Sequence, residues 1–136
     1  MTGEIKPNCA QQQRRLLLVE DDAGVRRSLQ LLLRARGFDV RAYAAGAALL
    51  ADPLAIQACC FVADYSMDEL DGLEVLTRLK SRGWAGPAIL ITAFPTPALK
   101  DRAMAAGFSV VLEKPFREHV LADTVIRLTG QTGTYV

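Results

Sequence analysis

The stretch Leu16-Leu17-Leu18-Val19-Glu20-Asp21-Asp22 joins a short run of large apolar residues to a group of consecutive acidic residues. An unbroken apolar run of this length is typical of a strand that is buried on both faces of a parallel sheet. The acidic group is therefore predicted to lie at the carboxyl end of the first strand. Since ligands of open α/β sheets bind at that edge, this stretch indicates both a fold class and a place for the site.

Apolar runs of strand length alternate with helix-period segments through the rest of the chain. Further strands are predicted at Asp39 to Tyr43, Ala58 to Ala63, Pro87 to Ile91 and Ser109 to Leu112. Helical segments follow each strand and stop near a glycine in most cases, at Gly37, Gly83, Gly107 and Gly130. This alternation predicts an α/β fold, a doubly wound parallel sheet of five strands with five helices on its two faces and right-handed crossovers.

Length and charge limit the classes of protein to consider. The 136 residues fit one domain, predicted at residues 15–129, between a flexible leader at 1–14 and a short polar tail at 130–136. A net charge of +1 provides no broad field for nucleic acid or an anionic membrane, so neither is expected as a direct partner. No apolar stretch approaches the roughly 18 residues of a membrane span.

The cysteines suggest a cellular location. Cys59 and Cys60 lie in an apolar run and are expected to be reduced core thiols, whereas Cys9 lies in the leader. Reduced thiols and the lack of a signal-peptide pattern favour a cytoplasmic protein.

Acidic residues follow two strands that are predicted to be neighbours. Taken alone, Glu20, Asp21 and Asp22 are more often helix caps, and Asp64 a polar residue leaving a strand. Gathered in one crevice, however, these carboxylates repel one another unless a cation is present. A hard divalent ion with oxygen ligands fits them, and Mg²⁺ takes few protein carboxylates.

Two more polar residues follow the fourth and fifth strands. Elsewhere Thr92 would be a turn residue and Lys114 a solvated charge. Beside Asp64, a hydroxyl, an ammonium and a metal ion are the groups that neutralise the equatorial oxygens during phosphoryl transfer. A carboxylate nucleophile such as Asp64 yields an acyl phosphate.

The ordered set of motifs resembles the receiver domains of two-component response regulators. It comprises Leu18-Val19-Glu20-Asp21-Asp22, Asp64 followed by Asp71-Gly72, Ile91-Thr92-Ala93, and Leu112-Glu113-Lys114-Pro115-Phe116, and covers about Arg15 to Leu128. The resemblance implies a CheY-like, flavodoxin-like sheet of order 2-1-3-4-5.

The resemblance also implies a role for each site residue. Asp64 takes a phosphoryl group from a phosphohistidine on a sensor histidine kinase or a phosphotransfer protein, and Thr92 and Lys114 hold that group. Asp21, Asp64 and the backbone carbonyl of Ser66 ligate Mg²⁺, Glu20 acts mainly through water, and the Lys114–Pro115 peptide is cis. Such a domain assists its own phosphorylation without being a dedicated enzyme. Its switching face, which is also a homodimer face, is formed by the fourth helix, the fifth strand and the fifth helix.

Two positions depart from the family pattern and keep alternatives open. Asp68 stands where proline is common, and Val111 stands where the family usually has a tyrosine or phenylalanine that reports the phosphorylated state. A degenerate receiver, acting as a scaffold without phosphate, is the first alternative. A phosphatase of the haloacid dehalogenase type is the second, although that chemistry wants a carboxylate where this chain has Ser66.

Overall fold

The computed structural model describes residues 14–67 and 69–130. Its strands are β1 (Arg15–Val19), β2 (Asp39–Tyr43), β3 (Cys60–Asp64), β4 (Ala88–Thr92) and β5 (Val110–Glu113). Its α-helices are α1 (Ala23–Arg34), α2 (Gly46–Ala51), α3 (Gly72–Ser81), α4 (Pro97–Ala106) and α5 (Glu118–Thr129), with a short 3-10 turn at Ala55–Gln57. Asp68 and the predicted leader and tail, apart from Arg14 and Gly130, lie outside the described residues.

The strands form one parallel sheet in the order β2-β1-β3-β4-β5. This confirms the predicted fold class and strand order. The three middle strands are β1, β3 and β4, so the polar residues that follow them share one edge of the sheet. Asp64 is the last residue of β3 rather than the residue after it, because it still pairs with Ile91 of β4.

The apolar core has two halves, one on each face of the sheet. Alternate strand residues such as Leu17 and Phe61 pack with α2, α3 and α4, whereas Leu16 and Val62 pack with α1 and α5. Strands buried in this way explain the continuous apolar runs in the sequence. Two buried faces also fix the register, since a slip of one residue would exchange the two sets of side chains.

The ends of the helices follow the predicted signals. Asp22, Asp71 and Thr96 cap the N-termini of α1, α3 and α4 with a side-chain oxygen. Gly107 and Gly130 end α4 and α5 with φ values of 113° and 75°, which glycine adopts without a steric penalty.

The prediction for the core thiols is correct for one cysteine and wrong for the other. Cys60 is a buried free thiol, and burial raises its pKa to about 12. Cys59 is disulfide-bonded, so it is not the reduced thiol that its apolar surroundings indicated. Apolar neighbours predict the burial of a cysteine but say nothing about its oxidation.

Within residues 14–67 and 69–130, no helix is long and apolar enough to cross a membrane.

Candidate functional site

Asp64 is the centre of a polar site at the carboxyl edge of the sheet. Its side chain is almost completely buried, and the Lys114 ammonium donates a hydrogen bond to its Oδ1 atom at 2.9 Å. Lys114 follows β5, and its backbone N–H donates to the carbonyl of Thr92 at 2.9 Å, which ties the lysine to the end of β4. The Lys114–Pro115 peptide is cis, as expected.

Glu20 is the most buried carboxylate of the site, with 2% of its surface exposed. Its N–H donates to Tyr43 of β2 at 3.1 Å, and its Oε2 atom accepts from the N–H of Asp22 at 3.1 Å. The other oxygen, Oε1, lies 3.6 Å from the Lys114 ammonium and accepts no hydrogen bond. A buried carboxylate oxygen without a hydrogen-bond donor is costly, so its position points to a ligand.

Three carboxylates come together as predicted. Glu20, Asp21 and Asp64 each offer one oxygen, and these oxygens all lie within 4.8 Å of one another. Asp21 is exposed, so the cluster is accessible from solvent on that side. Compact sets of carboxylate oxygens are the donors that Mg²⁺ prefers, so these side chains fit the ion.

Asp22 has a different role from the two acidic residues before it. Its Oδ1 atom accepts a hydrogen bond from the N–H of Val25 at 2.9 Å, which makes it the N-cap of α1. The cap interpretation is thus correct for Asp22, whereas Glu20 and Asp21 belong to the carboxylate cluster.

Thr92 lies at the end of β4, one residue beyond the β4 partner of Asp64. Its buried hydroxyl oxygen accepts a hydrogen bond from the N–H of Phe94 at 3.1 Å. Because this contact uses a lone pair, the hydroxyl hydrogen is left to donate elsewhere.

The remaining sequence candidates have less defined places. Ser66 is exposed, and the role of its carbonyl as a metal ligand stays a prediction. Val111 is half-buried and packs with Tyr65 and Ala106 against the core face formed by α2, α3 and α4. Asp68 is outside the described residues.

The Asp71-Gly72 pair has a structural explanation. A Cβ atom on Gly72 would lie 2.9 Å from Leu90 Cδ1, 3.1 Å from Ala63 Cβ and 3.2 Å from the carbonyl oxygen of Asp64. The first turn of α3 therefore approaches the end of β3 too closely for any side chain, while Asp71 caps that turn. This close packing fixes the backbone next to Asp64.

The electrostatics of the site differ from those of an exposed group of charges. Burial raises the pKa of both Asp64 and Glu20, and neighbouring carboxylates raise them further, against the lowering effect of Lys114. For Lys114, burial alone lowers the pKa, but its hydrogen bond to Asp64 and the charges of Asp64 and Glu20 outweigh burial and raise it. The metal-free cluster is thus short of positive charge.

This shortage predicts how the stability of the metal-free protein changes with pH. Because the folded pKa values of Asp64 and Glu20 lie above their ordinary values of 3.8 and 4.5, the folded state binds more protons than the unfolded state just above those values. Their contribution to the free energy of unfolding is therefore greatest at lower pH and falls as pH rises through the folded pKa values. Urea unfolding in EDTA at a series of pH values should show a smaller fall for Asp64→Asn than for wild type. Parallel curves for the two proteins would contradict this account, and Asp22→Asn is the control for loss of a nearby carboxylate outside the cluster.

Sequence reasoning missed one group at the site. The guanidinium of Arg26, in the first turn of α1, donates to the backbone carbonyl of Glu20 at 2.9 Å. An arginine early in a helix carries no signal of such a contact, because helical periodicity gives the direction of a side chain but not its partner.

A parallel α/β domain with a carboxylate cluster, a lysine and a threonine at its strand ends is the arrangement expected of a receiver-type signalling domain. The chain belongs to the response regulator receiver domain family, whose family model matches residues 16–126.

Curated relatives agree with this membership. The chain is similar to Nodulation protein W of Bradyrhizobium diazoefficiens, with 34% identity over 84% of this chain and 50% of the relative. It is also similar to the transcriptional regulatory protein FixJ of Azorhizobium caulinodans, with 32% identity over 85% of this chain and 54% of the relative. The chain thus spans about half the length of these relatives.

Solved structures have the same fold. The crystal structure of FixJ-N matches with 30% identity and a TM-score of 0.77, over 88% of this chain and 95% of that chain. The chemotaxis protein CheY4 of Vibrio cholerae matches with 25% identity and a TM-score of 0.78, over 86% of this chain and 99% of that chain.

Proposed function

We propose that Asp64 accepts a phosphoryl group from a phosphohistidine on a sensor histidine kinase or a phosphotransfer protein, and that this event changes a protein-binding surface. The observation that carries the proposal is the contact of Lys114 with Asp64 at 2.9 Å, at a cluster where one buried oxygen of Glu20 lacks a donor. A cation already in place beside a buried carboxylate is what a transferred phosphoryl group requires.

Asp64, Lys114 and Thr92 have different roles in the transfer of the phosphoryl group. A carboxylate oxygen of Asp64 attacks phosphorus, the new P–O bond forms as the P–N bond to the donor imidazole breaks, and the imidazole leaves with the bonding electron pair. Lys114 and the hydroxyl hydrogen of Thr92 then pair with phosphoryl oxygens. Hydrolysis resets the domain, since water attacks phosphorus and releases inorganic phosphate and the Asp64 carboxylate.

Glu20, Asp21, Asp64 and the backbone carbonyl of Ser66 are the groups that would hold Mg²⁺, with Glu20 acting mainly through water. Bound Mg²⁺ supplies positive charge to the oxygens of the transferring group. The Oε1 atom of Glu20, which accepts no hydrogen bond and has only the Lys114 ammonium at 3.6 Å, and the compact set of carboxylate oxygens support this assignment.

The output follows from the added negative charge at Asp64. We assign the switching surface, and a homodimer contact, to α4, β5 and α5, which adjoin Thr92 and Lys114 in the chain. Val111 on β5 has no ring to turn inward, so we assign the start of the change to Thr92, the segment leading into α4, and Phe116. Such a change shifts an equilibrium between surface arrangements and makes the domain a switch rather than a dedicated enzyme.

The proposed partners are proteins. Net charge is +1, which gives the chain no basic field for nucleic acid. The relatives named as transcriptional regulatory proteins are about twice as long as the matched region, so their printed role belongs to the whole of those proteins.

Neither alternative gains support. A degenerate scaffold has no need of a lysine paired with a buried aspartate, although Val111 departs from the family pattern. Membership of the receiver family sets aside the phosphatase, and Ser66 is not the carboxylate that its chemistry wants.

The proposal is tested by incubating the chain with acetyl phosphate and Mg²⁺ and measuring intact mass. Wild type is expected to gain the mass of one phosphoryl group, whereas Asp64→Asn gains none and EDTA prevents the gain. Asp22→Asn is the matched control, because it removes a neighbouring acidic charge but retains a capping side chain. Equal labelling of wild type and Asp64→Asn would contradict the proposal. If neither protein is labelled, the proposal is also contradicted and the degenerate scaffold becomes the supported function.

A further inference from the structure

The peptide that joins Glu20 to Asp21 lies beyond the last paired residue of β1. Pairing of β1 with β3 ends at Val19 and Ala63. Pairing of β1 with β2 also ends at Val19, and the N–H of Glu20 makes the last sheet contact, to the carbonyl of Tyr43 at 3.1 Å. The backbone therefore leaves the sheet between Glu20 and Asp21, which carry two of the three clustered carboxylates.

Arg26 holds this peptide where the pairing of β1 ends. Its guanidinium donates to the carbonyl of Glu20 at 2.9 Å, in a partly buried position. The N–H of Arg26 donates to the carbonyl of Asp22 at 2.8 Å, so the arginine is held within the helix that begins directly after the cluster. Hydrogen bonds from a charged donor are roughly twice as strong as neutral ones.

With this bond, three contacts define the position of Glu20. Its N–H is bound to Tyr43, its carbonyl to Arg26 and its Oε2 to the N–H of Asp22. Only Oε1 is left without a hydrogen-bond partner, and this oxygen belongs to the residue whose carboxylate joins those of Asp21 and Asp64.

We propose that Arg26 is a positioning residue for the metal site, which holds the Glu20–Asp21 peptide so that both carboxylates meet Asp64. The inference rests on the proposed Mg²⁺ site. It also predicts that Mg²⁺ affinity falls when Arg26 is replaced, whereas electrostatics alone predicts that the affinity rises. Removing a cation near a Mg²⁺ site raises Mg²⁺ affinity by Coulomb's law, whereas losing the hold on the ligand backbone lowers it.

The experiment titrates Mg²⁺ into the chain and follows backbone amide chemical shifts around Glu20. Arg26→Gln is expected to weaken Mg²⁺ binding by about tenfold, as is typical when a group that orients a ligand is lost. Arg26→Lys, which keeps the charge but not the planar fork, should recover part of the loss. Arg27→Gln is the matched control, since Arg27 is the exposed next residue, and its affinity should be unchanged or slightly higher.

Labelling kinetics give a second readout that a general structural role would not move. With acetyl phosphate, Arg26→Gln should require about tenfold more Mg²⁺ for half-maximal rate, with a maximal rate close to that of wild type. Thermal unfolding in EDTA reports whether each variant folds. If Arg26→Gln does not fold, the positioning role is tested by comparing the Mg²⁺ affinity of Arg26→Lys with that of Arg27→Lys.

The outcomes separate the two proposals. If the wild-type chain binds Mg²⁺ and Arg26→Gln binds it equally tightly or more tightly, the positioning role is overturned and the proposed function is left intact. A wild-type chain without saturable Mg²⁺ binding would overturn both.

Discussion

Replacing Lys114 with methionine is expected to slow phosphorylation of Asp64 by acetyl phosphate by a factor of about 10² to 10³, the usual effect of removing one preorganised donor from a developing oxyanion. Methionine keeps an unbranched stem of similar length but removes the ammonium that lies 2.9 Å from Asp64. The phosphoryl oxygens then lose a cation in a site where burial makes charge costly.

Mg²⁺ affinity separates this effect from damage to the metal site. Because Lys114 contributes positive charge beside Glu20 and Asp64, its removal should leave Mg²⁺ binding as tight as in wild type or tighter. Lys100→Met is the control, because Lys100 is an exposed lysine of α4. A Lys114→Met chain that is labelled at the rate of Lys100→Met would show that the contact seen here has no part in the transfer.

Truncating Trp84 to alanine is expected to lower the free energy of unfolding by about 3–5 kcal/mol, the range for large buried aromatic residues. Trp84 is 2% exposed, and its Nε1–H donates to the buried carbonyl of Ala58 at 2.8 Å. Its ring also meets Phe61 edge to face, with centroids 6.4 Å apart. Since domains are stable by about 5–15 kcal/mol, this loss is a large share of the total.

Urea unfolding measures the change in the free energy of unfolding. The variant Trp84→Phe separates the loss of the hydrogen bond from the loss of the aromatic ring. Phenylalanine keeps an aromatic ring but leaves the Ala58 carbonyl without its donor, which costs about 1–3 kcal/mol. Trp84 precedes β4, at the edge of the sheet opposite Asp64, so Mg²⁺ binding of the folded Trp84→Phe chain should match wild type. A loss below about 1 kcal/mol for Trp84→Ala would mean that this part of the core can rearrange around the gap.

Much of the site could be predicted from sequence because parallel strands end at a common edge. Once β1, β3, β4 and β5 were recognised, Glu20, Asp21, Asp64, Thr92 and Lys114 had to lie near one another, and the structure brings Glu20, Asp21, Asp64 and Lys114 into contact distance. Order along the chain was sufficient, since no long loop intervenes between strand end and site residue.

What the sequence could not supply depends on the orientation of single side chains. Asp22 is chemically equivalent to Asp21, and only the start of α1 makes it a cap. The contact of Arg26 with Glu20 depends on where the pairing of β1 ends, and the Trp84 hydrogen bond depends on the path of the chain into β4. These features follow from tertiary packing, which hydrophobic periodicity does not describe.

The most direct test locates the phosphoryl group itself. After reaction with acetyl phosphate and Mg²⁺, borohydride reduces an aspartyl phosphate to the alcohol with release of phosphate, so the modified aspartate becomes homoserine. Peptide mass spectrometry is expected to find homoserine at position 64, and at no other position, in the wild-type chain. Homoserine at Asp21, at Asp22 or at no position at all would contradict the account.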